Sequence, residues 1–301
     1  MSSESEVLPV VEAGEVTEVG LRVDRWAADH FARVASRAAA RKACKRGDLR
    51  LNGEVVESSR FVLLGDVVTL HARDDVRPPN RLVPEVRYVD EHLAVVVKPP
   101  GVLTNGVTLR TLERGLPNVL RRSPAVDALP AARPVHRLDY ETTGLVVVAR
   151  TGSALMTLSR AFQERRVHKT YRAIVAGRLE GEQEVDVPLD GREAVSRFVP
   201  REHVRSLKIG WSTVVDAHPV TGRMHQLRRH LHGLGHPVLG DRRYVHGPVL
   251  RKHGLFLASV AVELPHPVTG DTVAVTMEDP AKFGVFLARE RRRWAKWHPE
   301  A

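Results

Sequence analysis

The sequence predicts an α+β protein made of a small N-terminal unit and a larger, strand-rich domain. Three observations carry this. Residues 21–72 combine helical spacing with a hairpin signal. Residues 73–84, with Asp74-Asp75, Pro78-Pro79 and Pro84, break both patterns and read as a linker. From residue 85 to 301, short apolar runs of β type are separated by turn residues and stretches of helical spacing.

Ahead of the small unit, residues 1–20 hold five glutamates and no Lys or Arg, and read as an acidic, disordered tail. Asp24 is placed to cap a helix carrying Trp26, Ala27, Phe31 and Val34 toward a core. Ser36 caps a second helix that Gly47 ends, and on it Arg37, Arg41 and Lys45 recur on one face. Leu49-Arg50-Leu51, Asn52-Gly53 and Val55-Val56 spell a hairpin with a type I′ turn. Gly65-Asp66 then turns the chain into a strand over 67–70. Proline removes backbone donors and stiffens the linker that follows.

In the larger domain, Tyr88-Val89 and residues 93–97 are strands around the Asp90-Glu91 turn, and Lys98-Pro99-Pro100-Gly101 stops the second. Residues 145–148 form a short buried strand, and 153–165 a helix through Leu155, Leu158 and Phe162. Residues 171–175 and 211–216 are further strands. His218-Pro219-Val220-Thr221-Gly222 and His266-Pro267-Val268-Thr269-Gly270 each read as a hairpin turn joining two strands. Phe283, Phe286, Leu287 and Trp294 define a C-terminal helix, where Arg291 to Arg293 and Lys296 read as a solvated end with an extra contact to a polyanionic partner as the alternative.

Composition bounds the function. A chain of 301 residues accommodates about two domains, and 43% hydrophobic residues is enough for real cores. The net charge of +10 and pI near 10.2 favour a polyanionic partner, nucleic acid before membrane. Residues 21–72 concentrate ten Lys/Arg against six Asp/Glu. The single Cys44 cannot form an intramolecular disulfide, which fits a reducing compartment. No basic-then-apolar N-terminal run is visible, and no apolar stretch approaches the ~18 residues of a membrane span. A monomeric cytoplasmic protein without a membrane partner is expected.

Three segments carry chemistry, and only together. In Pro134-Val135-His136-Arg137-Leu138-Asp139-Tyr140-Glu141-Thr142-Thr143-Gly144, a carboxylate follows a basic His-Arg pair and precedes a Thr-Thr-Gly turn. An aspartate beside cations loses its proton easily, which suits a nucleophile or an electrostatic stabiliser rather than an acid. Taken alone, such an Asp is more often a structural ion pair. The second segment, Val167-His168-Lys169-Thr170-Tyr171, leads into a strand, where a lone Tyr is nearly always packing. The third, Thr221-Gly222-Arg223-Met224-His225-Gln226-Leu227-Arg228, makes a tight turn into a helix and aims Arg223, His225 and Arg228 into a shared cleft. A phosphate-binding basic patch is the blander account of it, and is compatible with the functional one. His218, His225, His230, His232 and His236 raise a metal site, but there is no HExxH motif, Cys partner or carboxylate cluster beside them. Neither GxGxxG nor GxxxxGK[ST] occurs, so neither a cofactor nor a metal is expected.

In this order the segments resemble the motifs of RluA-type RNA pseudouridine synthases, whose signature is His-Arg-Leu-Asp-x-x-Thr-Ser-Gly. The likeness runs from about Val86 to Phe283 and includes Lys98-Pro99-Pro100-Gly101 and Gly235-His236-Pro237-Val238-Leu239-Gly240-Asp241-x-x-Tyr244. It implies a mixed, mostly antiparallel sheet with the cleft across it, and a cofactor-free isomerisation of uridine in RNA. It also implies roles for single residues. Asp139 attacks or stabilises the ribosyl-uracil centre, and Arg228 pairs with it and keeps it a carboxylate. Tyr171 stacks on uracil and serves as a base at carbon 5, while Leu227 confines the ring. His136, Arg137, Arg223, His225 and Gln226 complete the substrate site. The small unit resembles the S-four-type (alpha-L) RNA-binding domain, which puts Arg37, Arg41 and Lys45 against RNA phosphates. Large-subunit ribosomal RNA is the first expectation for substrate and transfer RNA the second.

The chain departs from the pattern at Thr143, where Ser is common, at Tyr140, where Arg is frequent, and at Phe256-Leu257-Ala258, where Leu-His-Ala is common. Residues 191–211 match poorly. A non-catalytic RNA-binding assembly factor is the rival; it predicts loss of Asp139, Tyr171 or Arg228, and none is lost. A glycosidase needs a second carboxylate opposite Asp139, and Glu141 is too near in sequence to serve.

Overall fold

The computed structural model describes residues 10–34, 36–71, 82–106, 108, 110–245 and 253–298. The first unit is a four-stranded sheet, β1 (Val10–Glu15), β2 (Leu49–Leu51), β3 (Glu54–Val55) and β4 (Val67–His71), in the order β1-β4-β2-β3. Two helices, α1 (Val23–His30) and α2 (Arg37–Arg46), accompany it. The local signals act as their chemistry dictates. Ser36 accepts the Ala39 N–H at 3.2 Å, and Gly47 ends α2 in the left-handed region at φ 74°. Asn52 and Gly53 both take positive φ between β2 and β3. Trp26, Phe31, Ala40, Ala43, Leu49 and Val68 fill this unit's own core.

Two expectations are corrected here. The acidic stretch is not a tail throughout: Val10–Glu15 pairs antiparallel with β4, because its small and apolar residues cover the sheet edge while Glu12 reaches Arg33. Residues 1–9 of that tail, residue 72, and residues 73–81 of the linker lie outside the described residues. Asp24 is not a cap either. It sits in the first turn, fully buried, and accepts from Arg37 Nε at 2.9 Å and Arg41 Nε at 2.7 Å. A buried carboxylate needs such partners.

The larger domain is built on β5 (Glu85–Val89), β6 (Leu93–Lys98), β7 (Ala128–Pro134), β8 (Thr143–Thr151), β9 (His168–Ala176), β10 (Gln183–Asp186), β11 (Val195–Ser206), β12 (Gly210–Pro219), β13 (Leu257–Pro265) and β14 (Thr272–Thr276). These form one sheet in the order β10-β11-β12-β9-β13-β8-β6-β5, with β14 beside β13 and β7 beside β8. Every pairing is antiparallel except β13 with β8, so the sheet is mixed and mostly antiparallel, in an α+β domain. Strands covered on both faces read as continuous apolar runs. In β8, Val146 and Val148 join one core while Leu145, Val147 and Ala149 join the other. Helix α4 (Gly152–Gln163) covers the second face with Ala154, Leu158 and Ala161. Helix α6 (Ala281–Trp297) covers the first with Phe283, Phe286 and Leu287. The remaining helices are the short α3 (Leu112–Gly115) and α5 (Gln226–Gly233). His266-Pro267-Val268-Thr269-Gly270 does turn β13 into β14, but the matching string at His218 carries β12 into α5 instead of a second strand. No helix among the described residues is long and apolar enough to cross a membrane.

Candidate active site

Asp139 lies in a loop between β7 and β8 that the backbone holds from both sides. Thr104 Oγ1 donates to the Leu138 carbonyl at 3.2 Å and accepts the Leu138 N–H at 3.1 Å. On the other side the Tyr140 carbonyl accepts from Gly101 N at 2.8 Å and from Lys98 Nζ at 3.3 Å. A turn closed by Thr142 N to Asp139 O at 3.1 Å follows, and Thr143 donates to the Lys98 carbonyl at 2.8 Å. Gly144 then lets β13 approach β8: its φ is +117°, and a Cβ there would stand 2.6 Å from Ser259 N and closer still to the Ser259 carbonyl. The Thr-Thr-Gly signal is therefore a packing requirement that fixes the Asp139 loop to the sheet.

Three elements converge on this loop around a cleft of about 790 Å³. Strand β9 brings Tyr171 and Lys169, helix α4 brings Phe162, and α5 with its preceding turn brings His225, Leu227 and Arg228. His225 Nε2 is 3.8 Å from Asp139 Oδ1, and Arg228 Nη1 is 3.8 Å from Asp139 Oδ2. His225 takes φ 53° at the head of α5, a position rarely adopted by non-glycine residues, and its Nδ1 shares a proton with the Tyr244 hydroxyl at 2.8 Å. Burial, with Arg228 adding to it, holds the His225 imidazole below its ordinary pKa against the pull of Asp139.

The structure revises several roles. Arg228, 3% exposed, makes its close pair with Asp241, Nε to Oδ2 at 2.7 Å and Nη2 to Oδ1 at 2.8 Å. Asp139 and Glu141 are its distant neighbours, each at 3.8 Å. Gln226 is a buried lock for the turn: it accepts from Thr221 and Arg223 N, and donates to Val195 O and Ser196. Both ends of its amide are so occupied, while Gln226 still lines the cleft. Arg223 lines the cleft but spends Nε on the Glu193 carbonyl at 2.8 Å. His136 is not a cation beside Asp139. Burial and nearby Lys169 lower its pKa to about 3, its Nε2 accepts the Val147 N–H at 3.0 Å, and its ring stacks on Phe162. Arg137 is exposed at the cleft wall. Tyr171 is buried, and desolvation together with Asp139 raises its phenol well above the ordinary value, so it rests protonated.

Two contributors escaped the reading of single segments. Lys98 is fully buried and donates to Pro99 O and Val102 O at 3.1 and 2.8 Å; burial brings its pKa down to about 8, with Asp139 opposing. Asp241, 1% exposed, also accepts the Arg243 and Tyr244 N–H groups, and backbone and Arg228 donors outweigh the burial that would raise its pKa. Both residues stand within strings that mark the resemblance, so a signal existed; only the tertiary pairing gives it meaning.

Comparisons with known proteins identify the family. The family model described as RNA pseudouridylate synthase matches residues 92–233. The chain is 34% identical to ribosomal large subunit pseudouridine synthase D of Xylella fastidiosa over 82% of each chain. It is 35% identical to the dual-specificity RNA pseudouridine synthase RluA of Haemophilus influenzae, over 66% of this chain and 94% of that one. Among solved structures it is similar to human RNA pseudouridylate synthase domain containing 1, with TM-score 0.55 and 26% identity over 65% of this chain and 84% of that one. A loop whose backbone on either side of Asp139 is held by Thr104, Gly101 and Lys98, and whose carboxylate faces a buried Arg and Tyr across one cleft, thus stands on a framework shared with these proteins over most of their lengths. The chain belongs to the RNA pseudouridylate synthase family and is an isomerase that acts on RNA.

Proposed function

We propose that this enzyme converts uridines of large-subunit ribosomal RNA to pseudouridine, with Asp139 as the residue that takes up the ribosyl centre. The observation that carries the reading is the rigid presentation of Asp139 into the cleft, 3.8 Å from both Arg228 and His225. The target uridine leaves its stack to enter, at a cost of a few kcal/mol that contacts from the basic surface offset. As the bond from N1 to C1′ breaks, Asp139 stabilises or captures C1′, and uracil keeps the electron pair. The ring turns against Tyr171 and Leu227 until C5 faces C1′. The C5–C1′ bond forms as any Asp139–C1′ bond breaks and frees the carboxylate, the C5 proton leaves, and N1 gains a proton. To take the C5 proton, Tyr171 must first pass on its own phenol proton, held by burial and by the Asp139 charge, to solvent or to N1, which gains a proton in the same conversion.

Support for ribosomal over transfer RNA comes from the relatives: large-subunit synthases D and C recur among them beside one dual-specificity enzyme. In this reading the substrate also engages the N-terminal unit. There Arg37 and Arg41 each spend one nitrogen on Asp24 and keep the rest of an exposed guanidinium beside exposed Lys45, a face for RNA phosphates. In this proposal residues 21–72 are the S-four-type RNA-docking domain, 73–84 a linker and 85–301 the catalytic domain, acting as a cytoplasmic monomer.

Site-resolved pseudouridine mapping of total RNA tests this, with and without the gene and with wild-type or Asp139→Ala complementation. A large-subunit position that loses pseudouridine on deletion and regains it only with wild type supports the reading. Loss confined to transfer RNA overturns the substrate, and loss nowhere favours a non-catalytic assembly role.

A further inference from the structure

Far from the cleft, the sheet and α6 build a second feature that the isomerisation leaves unused. Arg205 on β11 pairs across the sheet with Trp211 on β12. Its guanidinium lies 3.8 Å from the Trp211 ring centre and 5.2 Å from that of Trp294 on α6. Arg178, paired with Glu180 at 2.6 Å, stands 4.9 Å from the Trp211 ring, and His298 stacks on Trp294 at 3.7 Å with nearly parallel planes. The result is a ladder in which cations and π-faces alternate. It spans the turn end of the β11–β12 hairpin and the last turns of α6.

We propose that this ladder is a second RNA-binding site, a stacking platform for a single-stranded segment of the substrate outside the catalytic cleft. Three features separate it from a purely structural clamp. Trp297, one turn beyond Trp294, is 68% exposed, and Lys296 is the cation over its ring. Arg205 and Lys208 are exposed, and among the described residues neither has a carboxylate within 4.0 Å. Glu290, about one turn before Trp294 on α6, is buried and already held by Ser206, Arg289 and Arg293. The surface therefore offers unneutralised cations and an open indole, the combination that binds single strands through phosphate neutralisation and base stacking. It is also well separated from the reaction. Trp211 is at one end of β12, and Ala217, which pairs with Tyr171, is six residues further along, about 20 Å at the ~3.3 Å rise of a strand. A strand bound here holds RNA flanking the target without touching the reacting base.

The inference rests on RNA as the substrate, and the test separates the two. All measurements use the full chain carrying Asp139→Asn, so that binding is read without turnover. The probes are protein-free large-subunit ribosomal RNA and a labelled oligouridylate of about 12 nucleotides, within the ~4–16 nucleotide footprint of such sites. The double variant Lys208→Ala/Trp297→Ala removes two exposed side chains, and Arg205→Ala removes the centre of the ladder; Arg87→Ala, on β5, is the matched surface-charge control. The expected result is that both ladder variants weaken oligouridylate binding by about five-fold or more. The log–log salt dependence should also flatten by roughly 0.7 per lost phosphate contact. Because Lys208 and Trp297 are exposed, loss in the double variant with an unchanged melting temperature excludes unfolding as the cause. Ladder variants that match Arg87→Ala in affinity and salt slope, while wild type binds ribosomal RNA, overturn the ladder alone. A wild type that binds neither RNA overturns it together with RNA as substrate.

Discussion

Removing the Asp241 carboxylate should damage both stability and rate. Arg228 and Asp241 are 3% and 1% exposed and joined by two hydrogen bonds of 2.7 and 2.8 Å. Asp241→Ala leaves the guanidinium buried without its close partner, which costs about 3–5 kcal/mol in such sites. At roughly 2–4 °C per kcal/mol for a domain of this size, melting should fall by about 10 °C. The released Arg228 has two carboxylates within reach, Asp139 and Glu141, both at 3.8 Å, and will close on them. A shift of about an ångström at a reacting group is worth on the order of a hundredfold in rate. Calorimetry and single-turnover isomerisation measure the two effects. Asp241→Asn discriminates between them, since its amide oxygen still accepts a backbone N–H: it should recover part of the stability and little of the rate. An Asp241→Ala enzyme that melts within about 2 °C of wild type and keeps its rate would refute the view that Asp241 sets the position of Arg228.

Other outcomes follow from the same geometry. Gly144→Ala forces a Cβ into the Ser259 backbone at φ +117°, so the variant should be poorly soluble or melt far below wild type. Lys98 has a folded-state pKa lowered from 10.5 to about 8, so the unfolded chain binds a proton that the folded chain lacks between those values. Its contribution to stability therefore rises from pH 8 to 10.5, and denaturant titrations should show that rise in wild type and lose it in Lys98→Met. Tyr171→Phe keeps the ring, so RNA affinity should hold while kcat drops by roughly 10²–10⁴ if the phenol takes the C5 proton. A loss under tenfold would leave Tyr171 only its packing role.

What was legible in the sequence had local causes. Ser36, Gly47, Asn52-Gly53 and the apolar runs of β6 and β8 act through their own turns and strands, and each forms as its chemistry requires. Strand β11 was missed because its residues alternate weakly and carry many charges; it forms because β12 pairs along its whole length. The edge strand β1 hid among glutamates for a similar reason. In the site, the sequence brought Asp139, Tyr171 and Arg228 to notice as residue types in order. It could not tell that Arg228 leans on Asp241, that Gln226 is consumed by its own turn, or that His136 is neutral. Those facts depend on burial and on partners distant in sequence.

The central claim is that Asp139 carries the glycosidic step, and release of the C5 hydrogen tests it most directly. Ribosomal RNA labelled with tritium at uracil C5, taken from cells lacking the gene, is mixed with excess enzyme, and tritium in water is followed alongside RNA affinity. Wild type should release the label at its target sites, while Asp139→Asn binds the RNA with comparable affinity and releases none. Release by the Asn variant at a rate near wild type would contradict the account and move the chemistry to another residue of the cleft.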